Sequence, residues 1–398
     1  MLSAKTLVAC VAIVGNVFDT AGAAPFVPQS PNEIVVELTP PTGSEWDEIH
    51  LLRAELAAEP SASAIAARLA HSYLELFRVE GDPRLIGYAA AALSQWTLDG
   101  TAPPAVALEL IAIEQLEHRF DTAMRALEDF LARHASDAQA WLMRASISLA
   151  RGQYPESTSA CTRLVFTAGA ETAGACLAAV QAVTGQARQA REFLAAAFAR
   201  GDYAADAAFE SWVRTLAAET AVALALPSDA DVEFRTALSA ARRDGGRPTL
   251  YLVSAYADFL LDSGRNADVL TFLTDAPPSD ATLLRAATAR KRLGLVVDDE
   301  IRTLSQHLEL TLSGYEQTHA REAAYFLLRV LDAPTDALAL AARNFAMQRE
   351  PLDARLVLEA AVAICDGAAA LPVLDWMQIN AVEHATLVRL RDSLRDCR

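Results

Sequence analysis

DAQAWLMRASISLARGQYPESTSACTRL, Asp137 to Leu164, is the stretch whose reading decides the fold. Trp141 stands early in a helical run, and the small Ala145 follows four residues on, on the same face. Arg151-Gly152-Gln153-Tyr154 then reads as a turn, with a glycine that can take φ > 0 where a helix ends. A second amphipathic run follows through Thr158–Leu164. The stretch therefore predicts two helices folded back on each other around Gly152.

The same frame recurs along the chain. His118-Arg119-Phe120 occupies the corresponding turn 34 residues before Gly152, and Thr184-Gly185-Gln186 the one 33 residues after it. Later turns are read at Ser263-Gly264-Arg265, Leu293-Gly294 and Asp366-Gly367, with weaker copies at Gly81-Asp82-Pro83 and near Ala333-Pro334. Two helices of about 14 residues, a tight turn and a short loop fill such a period, and each hairpin must stack on a neighbour to cover its apolar sides. Small residues such as Ala145, Ala178 and Ala257 are expected where paired helices approach most closely, and Phe120, Trp141, Tyr154, Phe198, Tyr256 and Trp376 in the packing between them.

This pattern resembles the tetratricopeptide repeat (TPR), over roughly residues 60–380. The expected fold is all-α, a solenoid of about nine TPR-like hairpins at 63–96, 104–134, 138–167, 171–200, 209–243, 249–274, 280–312, 319–348 and 352–380. Helices near 45–59 and 383–396 would cap the ends. The resemblance is poorest over 201–247, where Gly201, Pro227 and Gly245-Gly246 mark an irregular pair or a break. The expected organisation is an N-terminal array over 44–247 and a C-terminal array over 248–398.

Composition agrees with a packed helical body. Of 398 residues 53% are hydrophobic and 21% charged, which excludes a disordered chain. A net charge of -17 disfavours a general nucleic-acid binder, which needs a basic footprint, and disfavours docking on anionic lipid. Apart from Lys5 and Lys291, the Lys and Arg residues are all arginine, so with residues 1–23 removed Schiff-base chemistry would have a single candidate, Lys291.

The N-terminus reads as an export signal over residues 1–23. Lys5 precedes the apolar run Thr6–Phe18, and Ala21-Gly22-Ala23 places small residues before a cleavage site at Ala24. The run is shorter than the roughly 20 residues a membrane span requires. Leu7-Val8-Ala9-Cys10 is similar to a lipidation motif, but the apolar run before Cys10 is too short and continues beyond it. Residues 24–43 form a Pro-rich extended lead with a short candidate strand at Glu33–Leu38. The address is therefore periplasmic or secreted, with no membrane span after the signal is removed.

Loss of the signal would leave four cysteines, Cys161, Cys176, Cys365 and Cys397, an even number suited to an oxidising compartment. In the repeat register Cys161 and Cys176 lie about equally far from the loop near 168–169, level with each other on antiparallel helices, so they are expected to pair. Cys365 and Cys397 end helices that point the same way, and a staple of the C-terminal cap is expected there, with free buried thiols as the alternative.

Motifs for chemistry are absent: no G-x-G-x-x-G, P-loop, G-x-S-x-G or H-E-x-x-H occurs. The seven histidines, His50, His71, His118, His134, His307, His319 and His384, do not suggest a metal shell; His319 and Glu322 share a helical face without the matching carboxylates of a di-metal bundle. Asp298-Asp299-Glu300 reads as a helix N-terminus, not a calcium loop. No catalytic residue, metal ligand or cofactor is therefore assigned.

What the TPR resemblance implies instead is a concave groove, lined by the first helix of each hairpin, that binds a protein or an extended peptide. Carried over by register, its candidates are Gln115; Gln139, Leu142, Ser146 and Leu149; Ala175 and Ala179; and Tyr251, Ser254, Asp258 and Asp262. This lining is apolar to mildly acidic and lacks the Lys/Arg/Asn set with which some members clamp a terminal carboxylate. Arg144 stands where the motif is usually apolar and is read as an ion-pair residue. The expected function is a non-catalytic binding scaffold of the bacterial cell envelope. The alternatives are an accessory binding protein for a transport or secretion system, or an enzyme whose site is assembled from non-adjacent helices.

Overall fold

The computed structural model describes residue 30, residues 43–313 and residues 319–397. The signal, nearly all of the Pro-rich lead and the candidate strand at 33–38 lie outside the described residues. Helix α1 (Ser44–Ala58) precedes nine hairpins among the described residues. They are α2/α3 (Ser63–Glu80, Arg84–Ala92), α4/α5 (Pro104–Leu116, Phe120–Arg133), α6/α7 (Ala138–Ala150, Tyr154–Thr167) and α8/α9 (Ala170–Val183, Ala187–Arg200). Then come α10/α11 (Ala207–Ala223, Pro227–Ala241), α12/α13 (Leu250–Asp262, Asn266–Leu273) and α14/α15 (Asp280–Arg292, Asp298–His307), the last extended by the single turn α16 (Glu309–Leu312). Finally α17/α18 (Ala320–Arg329, Pro334–Met347) and α19/α20 (Pro351–Ile364, Leu371–Ile379) lead to the terminal α21 (Ala385–Asp396). This is the all-α solenoid that the repeat predicts.

Local signals explain the punctuation. Asp137 accepts from the Ala140 backbone N–H at 2.8 Å and Asp206 from that of Phe209 at 3.0 Å, each opening a helix. Prolines enter the first turn of α4, α7, α11, α18, α19 and α20, where their missing N–H costs no hydrogen bond. Gly152 (φ +71°) and Gly185 (φ +69°) close α6 and α8 in the left-handed region. Other turns reach that region without glycine: His118, Ala225, Asp332 and Cys365 have φ between +54° and +58°. Hence α10 and α11 form a regular hairpin over the stretch expected to break, turning at Ala225. The turn expected at Gly367 falls at Cys365.

Both cysteine pairs are disulfides. Cys161 on α7 joins Cys176 on α8 across a Cα–Cα distance of 5.5 Å, and Cys365 after α19 joins Cys397 after α21 at 5.4 Å. Ala178 and Ala257 have no exposed surface and Ala145 only 2%, as close helix approach requires. Arg144 lies 3.9 Å from Glu128 and over the ring of Trp141.

Within Ser44–Arg398, one compact unit, the row of hairpins curls back on itself. Backbone and side chains one superhelical turn apart touch along a seam. The Arg349 N–H donates to the Ala150 carbonyl at 2.7 Å, and Trp376 Nε1 donates to Tyr154 Oη at 3.0 Å. Space for a Cβ on Gly152 is taken by the Arg349 side chain, and on Gly185 by Ala381; these partners lie 197 and 196 residues further on. At 33–34 residues per repeat, one turn of the coil holds about six hairpins. Nearer the N-terminus the same seam brings Arg247 to Glu80 at 3.2 Å and Leu250 against Gly81. The largest core cluster accordingly joins Tyr154, Leu164 and Val180 to Leu284, Phe326, Phe345, Val357 and Trp376. Leu250 against Gly81 joins the stretch over 248–398 to that over 44–247.

Candidate docking surface

The first helix of each hairpin packs on the first helix of the next, from α2 through α4, α6, α8, α10, α12, α14, α17 and α19 to α21. These helices form a continuous inner face, and the second helices stand outside it. Most sequence-derived groove residues lie on this face, but they are largely engaged within the chain. Gln115 Nε2 donates to Ser146 Oγ at 3.2 Å, bridging α4 and α6. Leu142 and Leu149 pack on the core cluster that includes the C-terminal hairpins. Gln139 is exposed and Ala179 half-buried. Ala175 is fully buried and lines no groove, because α8 turns that side into its packing with α9 and α10.

On α12 the candidates are anchored by charge. Asp258 receives Arg285 at 2.5 Å and Tyr325 Oη at 3.2 Å; Ser254 offers its carbonyl to Arg285 Nε at 3.0 Å. Asp262 receives Arg355 Nη2 at 2.6 Å, which links α12 to α19 across 93 residues of chain. Arg355 and Arg329 converge on Glu359, at 2.5 and 2.9 Å. Arg321 reaches the fully buried Asp353 at 2.6 Å and Glu350 at 2.5 Å. With so many arginines, bidentate pairing along this ladder keeps each buried carboxylate matched. Tyr251, 55% exposed, donates to Glu219 at 2.5 Å. Burial lifts the Glu219 carboxyl to about 7.

An open stretch of the inner face lies at its N-terminal end. A groove of about 600 Å³ runs between α1, α2 and α4. Ala64, the pair Ala67 and Arg68, the pair His71 and Ser72, Glu75 and Val79 recur every three to four residues along one side of α2. Glu45 and Glu48 of α1 form one wall, and Ala105 and Glu109 of α4 the other. Ala67 and Leu76 are the buried floor. His71 Nδ1 lies 3.1 Å from Glu109, and that hydrogen bond raises its pKa above the ordinary histidine value. Sequence reasoning missed this groove because the hairpin of α2 has the weak turn at Gly81-Asp82-Pro83. The signal was available as the periodic stripe of small and polar residues on α2, with the acids Glu45, Glu48 and Glu109 on its neighbours.

The remaining candidates for chemistry are dispersed. His307 pairs with Asp280 at 2.6 Å, and His118 sits in the α4–α5 turn, where burial lowers its pKa. Among the described residues no group of three or more His, Cys, Asp or Glu side chains is placed to hold a metal ion. No described helix is long and apolar enough to cross a membrane.

No family model matches the sequence, and no curated protein matches it. Solved structures are similar at low identity. A tetratricopeptide repeat protein from Parabacteroides merdae ATCC 43184 is 12% identical, over 80% of this chain and 99% of that one, with a TM-score of 0.38. Yeast Tom70 is 11% identical over 87% of this chain and 85% of that one, with a TM-score of 0.38. The TPR domain of P58(IPK) is 13% identical over 89% and 98%, with a TM-score of 0.20.

Proposed function

We propose that the chain is a non-catalytic scaffold that binds a protein or an extended peptide on the inner face of its helical coil, and that it works in the cell envelope after export. The observation that carries this reading is the continuous inner face of nine first helices, open as a groove at α1, α2 and α4. Alpha-solenoids present such concave surfaces as a direct result of the small rotation between repeats. Export is supported by the apolar run at Thr6–Phe18 with Ala21-Gly22-Ala23 behind it, and by two disulfides that persist in oxidising compartments. Ion pairs and core packing take up many of the inner-face residues beyond the groove, which supports docking at the N-terminal mouth.

A photo-crosslinking residue tests this. Placed at Ser72 in the groove it should yield a discrete adduct in envelope extracts, and placed at the exposed Glu192 on the outer helix α9 it should yield none. Adducts at Glu192 alone, or equal labelling at both, would refute an inner-face scaffold.

A further inference from the structure

The groove at α1, α2 and α4 has a charge as well as a shape. Its lining holds four carboxylates, Glu45, Glu48, Glu75 and Glu109, against one arginine, Arg68, and His71. Glu109, its side chain 18% exposed, is held by His71 at 3.1 Å, but the arginines that pair with the other three are replaceable. Arg68 meets Glu48 at 3.2 Å with 64% and 53% of their side chains exposed. Arg78 pairs with the half-exposed Glu75, and Arg247 only approaches Glu45, at 3.9 Å. Exposed pairs of this kind contribute about 0–1 kcal/mol, so an incoming guanidinium or ammonium can take over the carboxylates at little cost.

Between the carboxylates the floor is apolar and low. Ala64, Ala67 and Ala105 leave room above them, and Leu76 and Val79 supply greasy surface. A volume of about 600 Å³ falls within the range of ligand sites, and accepts a few side chains, not a whole domain.

Taking the inner-face docking reading as given, we infer that this groove binds a basic peptide segment of a partner protein. The aliphatic side chains of that segment lie over Ala64, Ala67 and Ala105, and its arginines or lysines reach Glu48, Glu75 and Glu109. Charge excludes the two occupants nearest at hand. The chain's own lead, residues 24–42, carries Glu33 and Glu37 and no basic side chain. A second copy of the chain brings a net charge of -17. Like charge in the groove repels both.

Fluorescence anisotropy with two labelled 15-residue probes tests the inference. One contains Ala, Leu and five Arg; the other has Glu at each Arg position. The purified chain should bind the Arg probe at least tenfold more tightly than the Glu probe at 50 mM NaCl, and the affinity should fall as salt rises to 300 mM. The combined E48Q, E75Q and E109Q variant should lose at least tenfold in affinity with unchanged helical circular dichroism. Ala64→Trp, which fills the groove from an exposed position, should block the Arg probe altogether.

Binding of both probes equally, with Ala64→Trp blocking both, would overturn the basic class and leave inner-face docking standing. Binding of the Arg probe that neither variant weakens would place it elsewhere and overturn both readings. Failure of the Arg probe to bind would overturn the inference. A tenfold gain in affinity on deleting residues 24–42 would show the lead to be the occupant and overturn it too.

Discussion

Two glycines with the same backbone conformation isolate the closure of the coil. Gly185 has φ +69° and Gly264 has φ +71°, and both end the first helix of a hairpin. An alanine at either position incurs the left-handed penalty of about 1–2 kcal/mol. It recovers about 0.4–1 kcal/mol through a less flexible unfolded chain. The surroundings differ. A Cβ on Gly264 meets nothing within 4 Å, whereas one on Gly185 lies 2.7 Å from the Ala381 carbonyl oxygen and 3.0 Å from its Cβ. Those are backbone and near-backbone atoms that cannot rotate away, so the seam must shift, at a cost of about 1–3 kcal/mol. Gly264→Ala is therefore expected to destabilise by up to about 1.5 kcal/mol, and Gly185→Ala by about 1–3 kcal/mol more. Urea unfolding of both variants, compared at unchanged m, reads the gap. A Gly185→Ala midpoint equal to that of Gly264→Ala would refute the contact between hairpins 196 residues apart, and with it the closed coil.

Three other outcomes are expected. Non-reducing peptide mapping should recover Cys161 linked to Cys176 and Cys365 linked to Cys397; replacing each pair by alanine should cost about 3 and about 4 kcal/mol from loops of 15 and 32 residues, measured by urea unfolding under non-reducing conditions. Burial, and then the charge of Arg355, hold the His384 imidazole down at about 4, below its ordinary 6.5. The unfolded chain binds that proton more readily, so stability is full above pH 6.5 and falls as pH drops towards 4, by up to about 3 kcal/mol; His384→Gln should flatten the change between pH 7 and 4.5, and an unaltered slope would count against this origin. If the signal is cleaved as proposed, Edman sequencing of exported material should begin at Ala24, and a start at Met1 would defeat the export reading.

How legible this protein is depends on how local each feature is. Hairpin bounds could be read because apolar periodicity, first-turn prolines and turn glycines act within one repeat; α6/α7 runs from Ala138 to Thr167, as the 138–167 pair predicts. Where a turn used Ala225 in place of glycine, the local signal weakened, and the pair at 209–243 read as irregular or broken. Cys161 and Cys176 could be paired because neighbouring helices set their levels.

Residue roles on the inner face were another matter. Asp258 and Asp262 look like free groove acids in sequence, yet Arg285 and Arg355 occupy them, and no spacing rule links Asp262 to a residue 93 positions away. Repeat period, helix order and disulfide partners are properties of one hairpin and its neighbour, so the amino-acid order alone determined them. The angle between successive hairpins is small and accumulates over about six of them. Only the folded coil could therefore decide that Arg349 meets Ala150, that Arg285 and Arg355 occupy Asp258 and Asp262, and that the groove beside Glu48, Glu75 and Glu109 stays open.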